Sequence, residues 1–302
     1  MRRVVVLGVL VAVGALSMSV AAWSAGGQAQ RTVTVDKVKD NLYVLKGGGG
    51  NAAAFITADG VVVVDAKNPG WGQSILDKIR EITPKPVTTL INTHTHGDHV
   101  SGNVEFPANV TVVAHENAKA AMERMAIFAE NGNRGLPSRT FSDRLTLGSG
   151  ADAVQLFYFG PGHTGGDSVV VFPALRTAHF GDLFAGKGLS VVDPANGGSA
   201  LYYNETLKKM HAGITNVDSI INGHLGATTT WDDLKVFAEF HDEVLAWMKA
   251  ELAAGKSPEE AAKEWTLPAK YAELGYSPNV SSLFGGMTGR LQRLAEEMKQ
   301  AR

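Results

Sequence analysis

Cysteine is absent from this chain of 302 residues. Its absence excludes disulfide bridges, so stability has to come from the core and from any bound metal. It also removes thiolate from the metal ligands that the chain can offer, which leaves imidazole nitrogen and carboxylate oxygen. With 44% hydrophobic and 19% charged residues, the composition is that of a globular protein with a sizeable core.

A surplus of one charge is also missing. The chain carries 28 Lys and Arg against 30 Asp and Glu, which gives a formal net charge of -2. No block of like charges interrupts the sequence, so it lacks the electrostatic footprint of a protein that binds nucleic acid or a membrane surface. We therefore expect a small-molecule substrate and no nucleic-acid partner, and the sequence leaves the oligomeric state open.

A long hydrophobic run occurs at the N-terminus. The basic start "MRR" is followed by "VVVLGVLVAVGALSMSVAAW" and then by small residues, which is typical of a secretory signal peptide. Ala22-Trp23-Ser24 offers small residues at the two positions that a signal peptidase reads. We predict a signal peptide over 1–24, a periplasmic or secreted protein, and no stable membrane association after cleavage. An uncleaved anchor is the alternative, because the run approaches the length of a membrane span.

The rest of the chain alternates between strand-like and helix-like segments. No linker of low complexity divides residues 31–302. The pattern predicts two similar halves of strands and helices over 31–245, followed by a helical extension over 246–302. It also predicts a single helix for "ENAKAAMERMAIFAE" and helix starts capped by Thr230 with Asp233 and by Ser257.

One short motif concentrates metal-binding side chains. "NTHTHGDHVSGN" follows the apolar strand "VTTLI" and contains His94, His96, Asp98 and His99 within six residues. Histidine makes up only 9 of the 302 residues, so this density is far above chance. Gly97 and Gly102 frame the cluster, which is unlike a low-complexity histidine tract.

Three further metal-capable residues each lie where an apolar strand meets a glycine. They are His163 in "FGPGHTGGD", Asp182 in "HFGDLF" and His224 in "INGHLG". Side chains on loops at one edge of a rigid sheet can converge on a single point. We therefore expect these three residues to join the histidine cluster.

Coordination chemistry groups the seven side chains into two sites. Three imidazoles and a water form an open zinc site, for which the candidates are His94, His96 and His163. The candidates for a second site are Asp98, His99 and His224. Asp182 can bridge the two ions as a carboxylate. Nitrogen and oxygen ligands suit two Zn²⁺ per chain best, and iron or manganese stays possible.

The order of "HTHGDH", "GHT", "GD" and "GH" resembles the metallo-β-lactamase-fold superfamily over about residues 31 to 245. The resemblance implies an α/β fold, a four-layer αββα sandwich, here with a C-terminal helical extension. It implies that His94, His96 and His163 bind the first metal, and that Asp98, His99 and His224 bind the second. Asp182 matches the bridging acid of hydrolases such as glyoxalase II. Because β-lactamases of the superfamily can carry Cys or Ser there, Asp182 disfavours a lactam substrate.

This reading predicts an exported dinuclear zinc hydrolase. It would use a metal-bridging hydroxide on a small ester, lactone, thioester or β-lactam, with Asp98 and Asp182 as the catalytic residues. Asp98 would be both ligand and proton acceptor. The alternatives are a non-haem iron oxidase or dioxygenase on the same fold, and a non-catalytic protein that binds metal or ligand.

Two residues outside the ligand set are candidates to hold a ligand histidine by its other ring nitrogen. Asp65 ends the strand "VVVVD", and its alternative role is a helix cap together with Asn68. His115 follows the strand "VTVVA" in a similar way. The other histidines, His179, His211 and His241, are expected to be structural.

Overall fold

The computed structural model describes residues 31–278 and 282–301. The predicted signal peptide lies outside these residues and stays a prediction. Among the helices in the described ranges, none has both the length and the apolar character that a membrane span requires.

The first sheet contains seven strands in chain order. They are β1 (Thr34–Lys39), β2 (Leu42–Lys46), β3 (Ala52–Ile56), β4 (Val61–Val64), β5 (Val87–Ile91), β6 (Thr111–His115) and β7 (Arg139–Phe141). Strands β1 to β4 pair antiparallel, and β4 to β7 pair parallel. Helix α1 (Gly72–Ile82) makes the crossover between the parallel strands β4 and β5.

The second sheet contains six strands in the order β13-β12-β11-β10-β9-β8. They are β8 (Arg144–Leu147), β9 (Val154–Phe157), β10 (Val169–Phe172), β11 (Thr177–His179), β12 (Ser219–Ile221) and β13 (Thr229–Thr230). Strands β11 and β12 are parallel, and the other neighbours are antiparallel. Helix α5 (Tyr203–Gly213) connects β11 to β12, and helix α6 (Trp231–Ala253) follows β13.

Alternate side chains of a strand point to opposite faces of its sheet, and both faces of each sheet are covered. Val62 and Val64 of β4 belong to the same buried cluster as Val170 and Phe172 of β10, so this cluster lies between the sheets. The intervening Val63 packs with α1 on the outer face of the first sheet. On the outer face of the second sheet, β10 packs against α5 and α6. The four layers therefore form the expected αββα sandwich.

The described residues form six further α-helices. They are α2 (Gly97–Val100), α3 (Glu116–Met122), α4 (Ala126–Glu130), α7 (Pro258–Glu264), α8 (Ala269–Glu273) and α9 (Gly286–Gln300). Thr230 with Asp233 and Ser257 with Glu260 form the predicted caps of α6 and α7.

The single helix predicted for "ENAKAAMERMAIFAE" is wrong. The chain leaves helical geometry at Met125, whose backbone is extended, and α4 begins at the next residue. The break lets Met122 and Phe128 reach the same buried cluster beside Val100. Packing against the segment of the histidine motif outweighs the helical propensity here.

The C-terminal helices pack against α6, which covers the outer face of the second sheet. Tyr271, Leu291 and Leu294 are buried in one cluster with Phe237 and Phe240 of α6. This packing brings the segment before α9 near the edge of the sheets. The division into a domain over 31–245 and an extension over 246–302 stays a prediction.

Candidate metal centre

Strand ends carry the predicted ligands to one edge of the sandwich. The histidine motif begins directly after β5, and α2 begins at Gly97, so His99 lies on a short helix while His94 and His96 precede it. Asp182 follows β11 in a 3-10 helix, Gly181–Phe184. His224 follows β12, the parallel neighbour of β11. Parallel strands bring their carboxyl ends to the same edge, which explains the convergence.

Two positions at this edge require glycine, because the backbone there lies against the side chain of a predicted ligand. A Cβ atom on Gly223 would lie 1.9 Å from Asp182 Oδ1, and one on Gly50 would lie 2.2 Å from the His99 ring. Any side chain at either position would therefore collide with a predicted ligand. The backbone of the glycine-rich loop between β2 and β3 is hydrogen-bonded to the site, since the Gly50 N–H donates to the Asp98 carbonyl over 3.0 Å.

The structure brings all seven predicted ligands together. Their nitrogen and oxygen atoms form two groups, and within each group the ligand atoms lie within 4.8 Å of one another. The first group is His94, His96, His163 and Asp182. The second group is Asp98, His99 and His224. The grouping agrees with the two sites expected from the sequence.

Asp182 connects the two groups. Its Oδ2 lies 3.6 Å from His163 Nε2 and 3.2 Å from His224 Nε2, and its Oδ1 lies 3.4 Å from His99 Nε2. One carboxylate thus faces imidazoles of both groups, which is the placement that a bridging ligand requires.

The ring nitrogens that face away from the centre are held by neighbouring groups. The contacts are His94 Nδ1 to Thr93 Oγ1 at 3.0 Å, His96 Nε2 to Asp193 Oδ2 at 2.9 Å, His163 Nδ1 to Val191 O at 2.9 Å and His99 Nδ1 to Asp65 Oδ2 at 2.7 Å. Such partners fix the tautomer, so that the inward nitrogen presents a lone pair.

Asp65 contacts the outer ring nitrogen of a predicted ligand histidine, as the sequence suggested. It is fully buried and accepts from His99 Nδ1, and it also accepts from the Thr93 backbone N–H and Thr93 Oγ1, both over 2.8 Å. Because the Thr93 hydroxyl gives its proton to Asp65, its oxygen accepts from His94 Nδ1. The alternative role as a helix cap is wrong, since Trp71 is the N-cap of α1.

His115 does not take part in the centre. Its Nε2 donates to the Ser142 carbonyl, and its Nδ1 accepts from the Asn117 backbone N–H. Its ring stacks on Tyr158, with centroids 3.9 Å apart. His179 is also a buried structural residue, bonded through Nε2 to the Asn51 carbonyl.

Sequence reasoning missed Asp193. This carboxylate is almost fully buried, and besides His96 it accepts from the Asn196 side chain over 2.6 Å. A lone Asp before Pro194 carries no local motif, and it lies 97 residues from the histidine that it orients. Only the tertiary structure brings the two together.

Buried ligand atoms without hydrogen-bond partners indicate that these residues can bind a cation. Among the described residues, His94 Nε2 and Asp182 Oδ1 are buried without a hydrogen-bond partner. Leaving such atoms unsatisfied costs about 1–3 kcal/mol each. The inward nitrogens His96 Nδ1 and His163 Nε2 also lie 2.9 Å apart, a distance that requires a shared proton or a cation between them.

Burial dominates the protonation of His163 and His94. It lowers the pKa of His163 to about 4, and together with the neighbouring His99 it lowers the pKa of His94 well below its usual value. Burial acts to raise the pKa of Asp182, but the charge of His99 and a hydrogen bond with His224 outweigh it and hold that pKa well below the usual range. Burial acts to lower the pKa of His99, but the charges of Asp182 and Asp65 outweigh it and hold that pKa well above its usual value. Because neutral imidazoles and an ionised carboxylate are the forms that bind metal, a metal ion at His99 would displace its proton.

A cleft of about 440 Å³ opens onto the centre. Asp98 and His224 are partly exposed to it, whereas His94 and His99 are buried beneath. The cleft is large enough for a small organic molecule and brings that molecule against both groups of ligands.

The profile of the Metallo-beta-lactamase superfamily matches residues 45–226, more than half of the chain. The chain belongs to this superfamily. A type 2 metallo-beta-lactamase of Elizabethkingia meningoseptica is 29% identical over 229 residues, which cover 69% of this chain and 85% of the relative. A hydroxyacylglutathione hydrolase of Nostoc punctiforme is 27% identical over 164 residues, which cover 53% of this chain and 54% of the relative.

Solved structures agree with the superfamily fold. A metallo-beta-lactamase from Pontibacter korlensis superposes with a TM-score of 0.59 at 20% identity, covering 70% of this chain and 99% of that one. With the superfamily, its hydrolase members and the cluster of His and Asp ligands, the protein is a metal-dependent hydrolase that binds divalent metal.

Proposed function

We propose that the protein is an exported, dinuclear zinc hydrolase that acts on a small carbonyl substrate such as an ester, lactone, thioester or β-lactam. The observation that carries the proposal is the position of Asp182 between two groups of ligand atoms. His94, His96 and His163 would hold one ion, and Asp98, His99 and His224 the other. Export rests on the N-terminal sequence alone.

Zinc is favoured by the chemistry of the donors. Five imidazoles and two carboxylates form the set, and nitrogen-rich sites of this kind suit zinc. Two bound zinc ions would lower the pKa of a bound water towards about 7 and offset negative charge on a carbonyl oxygen.

The chain's own residues supply the remaining functions. Thr93, Asp193, Val191 and Asp65 hold the ligand imidazoles in one tautomer, which keeps the inward nitrogens aimed at the centre. The Asp98 carboxylate faces the cleft, with its Oδ2 3.4 Å from His224 Nε2. We expect this carboxylate to accept a proton from the nucleophilic water and to return it to the leaving group.

A substrate panel tests the proposal. The mature protein is loaded with zinc and offered phenyl acetate, a γ-lactone, an acyl thioester and nitrocefin. We expect hydrolysis of at least one of them, lost on chelation and restored by zinc. Two alternatives give other results: one iron per chain with oxygen consumption for an oxidase, and metal binding without turnover for a binding protein. Either outcome would contradict the proposed activity.

A further inference from the structure

An aromatic side chain from the C-terminal segment lies directly on the candidate metal centre. The Phe284 ring stacks on the His96 imidazole, with centroids 5.9 Å apart and planes inclined by 15°. Phe284 is 49% exposed, and with Leu283 it lines the same cleft as the ligands. A large apolar surface is thus left open beside the polar centre.

The backbone of Phe284 is held in an unusual conformation. Its φ of 55° and ψ of 32° lie in the left-handed region, which is a rare choice for an aromatic residue. Helix α9 approaches the Phe284 carbonyl closely. A Cβ atom on Gly289 would lie 2.1 Å from the Phe284 carbonyl oxygen, so only glycine allows the helix to approach so closely. Strained residues of this kind cluster at ligand sites.

Further apolar side chains line the cleft beside Phe284. Ala185, Leu189 and Val191 line it from the loop after Asp182. The loop Gly47–Gly50, which approaches the centre from the first sheet, has no side chains to contribute. The apolar surfaces of the cleft therefore come from the loop after Asp182 and from the C-terminal segment.

Outside the predicted ligands, the cleft has little charge. Apart from the predicted ligands, Lys187 is the one charged residue among the described residues that line the cleft. Its Nζ lies 2.9 Å from Asp233 Oδ1, so its charge is already compensated. Burying an unpaired charge is costly, and a charged substituent would find only Lys187 on these walls, which already pairs with Asp233.

We infer that Leu283, Phe284 and Leu189 form the specificity-determining wall of an acyl subsite. The substrate class is then an ester or thioester with an uncharged, apolar acyl group of medium length. The inference rests on the proposed hydrolase function. It adds that the acyl group of the substrate lies against Phe284. The subsite depends on residues of the C-terminal segment, far in sequence from the ligands.

The chain length of the acyl group provides the test. The zinc-loaded full chain is assayed with p-nitrophenyl acetate, butyrate and hexanoate. Each buried methylene is expected to raise kcat/KM by about fourfold. In Phe284→Ala the ratio of hexanoate to acetate should fall about tenfold, and in Phe284→Leu most of it should remain. Tyr202→Ala is the matched control, because Tyr202 is an aromatic residue of the same 49% exposure that does not line the cleft.

A binding measurement tests the subsite independently of hydrolysis. Dissociation constants of hexanamide and acetamide are measured by ligand-observed NMR on the metal-free and the zinc-loaded protein. We expect hexanamide to bind at least about tenfold more tightly than acetamide, and we expect Phe284→Ala to remove most of this preference.

The outcomes distinguish the two proposals. A preference for hexanamide that depends on Phe284, without hydrolysis of any ester, lactone, thioester or β-lactam of the panel, supports the subsite and contradicts the hydrolase function proposed above. Hydrolysis or binding without a chain-length preference overturns the subsite. An equal preference in the wild type and Phe284→Ala also overturns it.

Discussion

His163 donates its Nδ1 proton to the carbonyl oxygen of Val191 over 2.9 Å. This bond leaves Nε2 free for the centre and ties the ligand to the loop that forms the apolar wall of the cleft. The preceding residue, Ser190, is held on both sides: its N–H donates to His241 Nε2 over 3.3 Å, and its carbonyl accepts from Arg290. Helices α6 and α9 thus fix the backbone that orients His163.

Arg290→Met should destabilise the fold and loosen the first metal. The guanidinium is almost fully buried, donates to Ser190 and lies 5.1 Å over the Tyr203 ring. A hydrogen bond from a charged group contributes about 1.5–3 kcal/mol, so we expect a loss of that order in the free energy of unfolding. Urea denaturation measures it, and zinc titration should show weaker binding. Unchanged stability and affinity would show that Arg290 does not fix this loop.

Asp65→Asn should weaken metal binding without disrupting the backbone. Asp65 has a φ of 61°, a conformation that asparagine tolerates well. The amide keeps a hydrogen-bond acceptor for Thr93 but loses the charge that faces His99. Outer partners of this kind affect metal affinity by about 10–100-fold. Competition with a zinc chelator measures the change, with the exposed Asp59→Asn as control. Equal affinities in both variants would contradict the role assigned to Asp65.

Gly102→Ala should be strongly destabilising. A Cβ atom there would lie 2.0 Å from the Ala66 carbonyl oxygen, where the segment after α2 packs against the end of β4. The overlap involves backbone on both sides, so relief requires movement of the main chain, and we expect a loss of about 3 kcal/mol or more. Gly226→Ala is the matched control, because its Cβ would have no neighbour within 4 Å. Thermal unfolding with a similar loss in both variants would refute the packing argument.

Acid should destabilise the protein partly through His241. Burial, and then the charge of Arg290, lower the pKa of this imidazole to about 3, while its N–H donates to the Phe237 carbonyl and its ring stacks on Tyr203. The folded state keeps His241 neutral, whereas the unfolded state takes up a proton below about pH 6.5. Stability is therefore lost as the pH falls, by about 1.4 kcal/mol per pH unit from this residue.

The His241→Gln variant isolates this contribution. Urea unfolding of the wild type and the variant is compared between pH 7 and pH 5.5, where both experience the same protonation of the metal ligands. The wild type should lose stability more steeply as the pH falls. Parallel pH profiles would show that His241 does not titrate in the unfolded state as described.

The ligand set was predictable because its signals are local. His94, His96, Asp98 and His99 stand in one short motif, and glycines mark His163, Asp182 and His224 at strand ends. The layers followed from alternating apolar strands separated by helices. Such patterns reflect requirements of the backbone that a single sequence displays.

The surroundings of the ligands were not predictable in the same way. Asp193 and Phe284 reach His96 from parts of the chain with no motif, and their roles arise from packing. The break of the helix after Met122 is likewise a tertiary effect. The strained backbone of Phe284 lies against helix α9, a contact that no local propensity indicates.

Metal content tests the central claim most directly. Plasma emission analysis of the dialysed protein should give about two zinc ions per wild-type chain, because the structure offers two groups of ligand atoms joined by Asp182. Asp182→Asn keeps the shape but removes the shared charge, so it should retain about one ion and lose most of the hydrolytic rate. Asp182→Asn with two ions and the wild-type rate, or a wild-type chain that holds only one ion, would contradict the dinuclear centre.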